Sequence, residues 1–198
     1  LRLPTLDSMD ANLIIRCQHR IYFIFGEGPN RLGTNNGYSL PQLCSGKLGA
    51  LGGCQESSAL TPEGLWFMSS AGGLRLLTRG LQIAMDGQRY VGVESDGLIP
   101  TGFTRVKASS VDAKSQIRWY FSGSVAVVYD YQQQQWSRFT NHDSTGGSTS
   151  ARGLFFHSDG TNLYSSAISV AGRDNATDTA MVLETAWIAL ADIQGFQR

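Results

Sequence analysis

Three kinds of side chain here have the chemistry to act on a ligand: a Gly-Lys pair, three histidines and a scatter of carboxylates. Gly46-Lys47 invites a phosphate-loop reading, since such loops aim backbone N–H groups and a lysine at phosphates. That pattern needs a Gly five residues before its second Gly, and a Ser or Thr after the Lys. Pro41 and Leu48 stand there, so the motif fails twice and the segment reads as a flexible loop. Gly26-x-Gly28 is followed by Pro29, which lacks the N–H a phosphate would want, and no helical pattern follows it. His19, His142 and His157 each lie in or beside a turn. His142 and Asp143 can be drawn into a triad on paper, but adjacency in sequence is not triad geometry, and no Gly-x-Ser-x-Gly elbow occurs. Cys17-x-His19 offers two metal ligands with no spacing signal for two more, so a core Cys beside a solvent-facing His is the favoured reading.

Paired carboxylates are the stronger chemistry, because two acids at one pocket are what glycoside cleavage requires. The candidates are Asp86, Glu94, Asp96, Asp112 and Asp130. Nearly all lie beside Gly, Ser or polar turns, where Asp ordinarily serves local hydrogen bonding. Asn175-Ala176-Thr177 matches a glycosylation sequon, with no other sign of secretion. The sequence therefore assigns no catalytic, cofactor-binding or metal-ligating residue, and the expectation is a protein that is not an enzyme.

The elements that would hold such residues are marked by four aromatic doublets: Tyr22-Phe23, Trp66-Phe67, Trp119-Tyr120 and Phe155-Phe156. Their steps are 44, 53 and 36 residues, a mean of about 44, which is the blade period of a β-propeller. Gly64-Leu65-Trp66-Phe67 with Ser69 and Leu74 matches Gly153-Leu154-Phe155-Phe156 with Ser158 and Leu163 without a gap. Such a repeat implies small sheets that cannot bury both faces alone and must stack. The expected fold is all-β, a β-propeller-like array forming part of a propeller, over residues 1–180. Blades are expected near 12–28, 58–93, 102–140 and 153–170, with a strand leading out over 181–198.

Composition narrows the function. Lys plus Arg and Asp plus Glu both number 16, which disfavours a protein that grips DNA with its whole surface. Charged residues are only 16% and Gly numbers 23, so much of the surface is turn or is covered by neighbours. Three cysteines, Cys17, Cys44 and Cys54, are too few and too odd a set for a disulfide scaffold, and reduced, mostly buried thiols are expected. No apolar run approaches the ~20 residues that cross a bilayer, so no membrane insertion is expected. The abrupt start and end suggest a fragment.

Along the chain, Asn12–Phe25 reads as two strands around Gln18-His19-Arg20, and residues 30–55 as a long loop. Leu65–Met68 and Leu74–Leu77 read as a hairpin, and Gln82–Ala84 with Arg89–Val93 as another pair. Phe103–Ala108, Ile117–Phe121, Val125–Tyr129 and Trp136–Thr140 read as four successive strands, which is what one blade requires. Residues 141–152 read as an exposed polar loop. Gly153–His157 and Asn162–Ser166 read as a hairpin, and Glu184–Ile188 as a strand.

Four segments in order resemble the tail nozzle proteins of short-tailed bacteriophages, also called tail tubular or packaged-DNA stabilization proteins. They are Asn12-Leu13-Ile14-Ile15 with Ile21–Pro29; Gly53-Cys54 with Thr61–Phe67 and Leu76–Gln82; Val127–Tyr131 with Gln135–Thr140; and Glu184–Ile188 with Gln194–Arg198. The resemblance implies a virion structural protein, usually six copies ringing the tail axis below an adaptor. They form a conduit that retains packaged double-stranded DNA and later lets it pass. It implies no catalytic residues. This chain is much shorter than the family's, and its Leu40–Gly53 loop looks longer. A conduit should not bind DNA tightly, because each neutralised phosphate adds affinity, so basic side chains such as Arg105, Lys107 and Arg138 are expected to be few at the lumen and balanced by acids.

The alternative is a carbohydrate-active or receptor-binding β-propeller. It would show two or more acids with aromatics converging on one pocket, and the sequence has no clustered signature of that kind. A kelch-like interaction module is disfavoured because a double-Gly signature does not recur in each repeat.

Overall fold

Short apolar runs with period two, interrupted by Gly, Ser and Asp turns, leave this chain strands as its means of burying apolar side chains. The computed structural model describes residues 5–26, 37–44, 56–86, 89–140, 142, 147–151, 154–158, 163–165, 173–174 and 177–178. Their helical turns are the three-residue 3-10 turns Val93–Ser95 and Asp112–Lys114.

The first sheet contains β1 (Thr5–Met9), β2 (Asn12–Arg16), β3 (Ile21–Phe25) and β4 (Gln42–Leu43), in that order. The second contains β5 (Ala59–Leu60), β6 (Gly64–Met68) and β7 (Leu74–Thr78), with Ile83 bridging to Leu77 at its edge. A short hairpin, β8 (Met85–Asp86) and β9 (Arg89–Tyr90), follows. The third sheet is β10 (Val106–Val111), β11 (Gln116–Phe121), β12 (Val125–Asp130) and β13 (Gln135–Thr140). The fourth is β14 (Gly147–Ala151), β15 (Leu154–Ser158) and β16 (Leu163–Ser165), and a last hairpin pairs β17 (Arg173–Asp174) with β18 (Thr177–Asp178). Every pairing between these strands is antiparallel.

The four larger sheets stack in chain order, and strand alternation explains how. Successive side chains point to opposite faces, so each inner strand feeds two interfaces at once. In β6, Leu65 and Phe67 join Met9, Ile14, Ile21 and Cys44 of the first sheet side, while Trp66 and Met68 join Trp119, Phe121 and Val127 of the third. In the third sheet, Ile117, Trp119, Val125, Val127 and Tyr129 face back, and Tyr120 and Ala126 face on to Phe155 of the fourth. The chain is thus all-β, an open propeller-like array of small antiparallel sheets. At Trp66-Phe67 and Trp119-Tyr120, the two rings of a doublet serve adjacent interfaces.

The four-strand reading of 103–140 agrees with the structure to within a few residues at each strand end. Several other readings need correction. The first sheet begins earlier than expected, because β1 pairs Thr5–Met9 with Asn12–Arg16 across a tight turn at Asp10. Part of the supposed 30–55 loop is ordered: Gln42–Leu43 adds a strand beside β3, and Tyr38 bridges to Gly26. The hairpin expected from 82–84 and 89–93 forms instead from Met85–Asp86 and Arg89–Tyr90. Gly147–Ala151, read as exposed loop, is a strand paired with Leu154–Ser158. Its Gly, Ser and Thr composition hid it, since the partner strand supplies the ladder whatever the side chains.

The ungapped match between residues 64–74 and 153–163 is not a structural equivalence. Trp66 faces the sheet that follows its own, whereas Phe155 faces the sheet that precedes. A one-residue offset in a strand exchanges its two faces, so Phe67, not Trp66, is the counterpart of Phe155. The segments 27–30 and 45–55, including Gly46-Lys47 and Cys54, and the expected strand within 181–198 lie outside the described residues.

Candidate ligand pocket

The second and third sheets do not close over their whole shared face. At one end they leave a pocket of about 560 Å³ lined by Glu63, Trp66, Leu76, Tyr90, Val91, Gly92, Val93, Glu94, Tyr129, Gln134 and Trp136. This volume lies in the range of small-molecule sites. Each wall has a local cause. Glu63 sits in the turn between β5 and β6, where Thr61 N–H donates to the Gly64 carbonyl at 2.8 Å and its hydroxyl to the same oxygen at 3.0 Å. Glu94 rides on the Val93–Ser95 turn, pinned by the Ser95 hydroxyl donating to the Gly92 carbonyl at 2.7 Å. Gly92 has φ +102°, and a Cβ there would lie 2.5 Å from the Leu74 carbonyl oxygen and 3.1 Å from the Trp66 ring. Only glycine lets the backbone pass so close to that ring.

The floor is aromatic. Tyr129 and Trp136 stack at 4.5 Å between ring centroids, Trp66 lies 4.8 Å from Tyr129, and Trp66 meets Trp136 edge-on at 5.5 Å. These rings come from β6, β12 and β13, and Tyr129 and Trp136 are directly opposite each other in the register. Trp66 and Tyr129 are buried, while Trp136 is half-buried and Glu94 is exposed at the rim. The Trp66 indole N–H donates to Glu63 Oε2 at 3.3 Å. The Tyr129 hydroxyl is pushed up to about 12, first by burial and then by the charges of Glu63, Glu94 and Asp130. Tyr90 forms one side, its hydroxyl donating to Asp96, with the Arg75 guanidinium packed against its ring at 3.0 Å. Burial lowers the Arg75 pKa, and the nearby Tyr90 and Asp96 oppose that shift.

The sequence candidates separate cleanly. Glu94 lines the pocket, and Asp96 stands behind it as the acceptor of Tyr90. Asp130 ties down its own turn, accepting Gln132 N–H at 3.0 Å and Gln133 N–H at 2.9 Å, as the local reading held. Asp112 opens the short turn 112–114, with Ser115 N–H on its carbonyl at 3.1 Å. Asp86 pairs with Arg89 in the backbone register of the β8–β9 hairpin. Glu63 was not among the sequence candidates. It lies 31 residues from Glu94 in a different turn, and no local spacing signals that the two converge.

The histidines divide as well. His19 is exposed in the β2–β3 turn, where Cys17 N–H donates to the Arg20 carbonyl at 2.8 Å. His142 and His157 approach to 4.4 Å between ring centroids, beside Tyr120, Phe139 and Phe155. Arg118 packs over Phe155 at 4.8 Å in the same cluster. Among the described residues, no group of three His, Cys, Asp or Glu side chains is placed to hold a metal, and no helix is long and apolar enough to cross a membrane. No family model matches the chain, and a comparison with curated proteins finds no match.

Proposed function

We propose that the chain is a structural subunit of a bacteriophage tail, a nozzle component assembled in several copies, usually six in the resembled family, below an adaptor. It would retain packaged DNA and let it pass during ejection, without enzymatic activity. The reading rests on the four collinear segments of the sequence. The observation that carries it in the fold is the outer face of the first sheet. Leu6, Ile15, Tyr22 and Leu43 form one apolar row straight across its four strands, with Leu6 62% and Leu43 46% exposed. Leu13, on the same face, is also exposed. Contiguous exposed apolar surface of this kind marks contact with another element or subunit.

The charge pattern is compatible with a conduit. Arg105 and Lys107 both face Glu56, at 3.7 and 3.6 Å. Basic groups already matched by an acid release fewer counterions to DNA and hold it less tightly. Light scattering of the purified chain tests the reading: a ring-sized particle of several copies is expected, and a strict monomer at all concentrations contradicts it.

A second reading, a carbohydrate-active or receptor-binding propeller, is favoured by one observation. Glu63 and Glu94 share a pocket with Trp66, Tyr129 and Trp136, which is the acid-and-aromatic convergence that reading requires.

A further inference from the structure

We infer that the pocket between the second and third sheets binds an organic ammonium group, held by Glu63 and Glu94 over the Trp136–Tyr129 floor. This rests on the ligand-binding reading above, and it names the ligand's chemistry.

The lining decides between candidate ligands. Its two ionisable carboxylates are matched by no Lys, Arg or His among the lining residues. Arg75, the cation behind Tyr90, lies against the far side of that wall, with Asp96 as its neighbouring acid. Of the side-chain donors in the lining, the Trp66 N–H is given to Glu63 and the Tyr90 hydroxyl to Asp96, leaving the Tyr129 hydroxyl, the Trp136 N–H and the Gln134 amide. A sugar presents many hydroxyls and is held by donors and acceptors together. A site rich in acceptors, negative, and floored by indole and phenol rings suits a cation. Such rings attract ammonium groups through their quadrupoles, most strongly where water is displaced. The Tyr129 hydroxyl is raised first by burial, and the charges of Glu63, Glu94 and Asp130 add to that shift. The Trp66 hydrogen bond fixes Glu63 before any ligand arrives, so less ordering is lost on binding.

The test uses choline as probe, with its uncharged isostere 3,3-dimethylbutan-1-ol and methyl β-glucoside beside it, on the full chain. Binding is read by calorimetry and by indole fluorescence. Choline is expected to bind saturably and quench fluorescence, with the neutral isostere weaker by about tenfold or more, since removing the charge removes the cation–π and ionic attraction together. Glu94→Gln and Glu63→Gln should each weaken choline several-fold. Both keep an oxygen acceptor, and Glu63→Gln keeps the Trp66 contact, so an unchanged thermal transition verifies folding. Equal binding of the neutral isostere, binding of the glucoside without choline, or no saturable choline binding overturns the proposal. Glucoside binding alone would leave the pocket reading standing and remove only the cation. Particle size is independent of all three outcomes.

Discussion

The Trp119 indole N–H donates to the Ser57 carbonyl at 3.0 Å, across 62 residues of chain. Ser57 is a joint between sheets: its hydroxyl oxygen also accepts the Met68 N–H at 3.2 Å. Both residues are fully buried. Trp119→Phe keeps most of the ring but leaves a buried carbonyl without its donor, a loss of about 1–3 kcal/mol. Urea denaturation should show a lower midpoint with an unchanged slope.

A second joint holds the first sheet to the second. Arg16 is buried, its Nε donating to Asp7 Oδ2 at 2.7 Å and its NH2 group to the Ser58 hydroxyl at 2.8 Å. The Ser58 hydroxyl in turn donates to Asp7 Oδ1 at 2.5 Å. Asp7→Ala leaves a buried guanidinium without its carboxylate and should cost about 3–5 kcal/mol. The Arg79–Asp10 pair is a contrast, with both side chains more than two-fifths exposed. Asp10→Asn keeps the left-handed turn and should change stability by about 0–1 kcal/mol. Equal losses in the two variants would refute the distinction.

His142 gives the fold a pH dependence. Its imidazole pKa is pushed down to about 4, first by burial and then by the neighbouring charges of His157 and Arg118. Tyr120 and Phe139 supply its other contacts. A folded value below the ordinary 6.5 means the neutral ring is favoured in the fold. The stabilisation is complete above that ordinary value and is lost as pH falls toward 4, by something on the order of 2 kcal/mol. Stability curves of the native chain and His142→Gln should converge as the pH falls through this window. Parallel curves would show that His142 is not the group responsible.

The thiols should differ in reactivity. Burial pushes the Cys44 thiol up to about 11, whereas Cys17 is only half-buried in the β2–β3 turn. Thiolate is the reactive form. In a Cys54→Ser background, a thiol reagent at neutral pH should label Cys17 first and Cys44 only on unfolding. Mass spectrometry of the partly labelled chain distinguishes the two, and early labelling at Cys44 would contradict its burial.

Local patterning alone is enough for the strand class and for much of the third sheet. Period-two runs such as Val125–Tyr129 admit little else, and polar turns such as Asp130–Gln133 are closed by their own side chains. It also placed the aromatic doublets at the centres of sheets. Which ring faces which neighbour follows from how the sheets pack, because shifting a strand by one residue exchanges its faces without changing its composition. That is why Trp66 and Phe155 align in sequence and oppose in space. The pocket belongs to the same category. Glu63, Glu94 and Trp136 lie on separate turns and strands, and their meeting depends on how two sheets stack, a long-range packing outcome that no local pattern encodes.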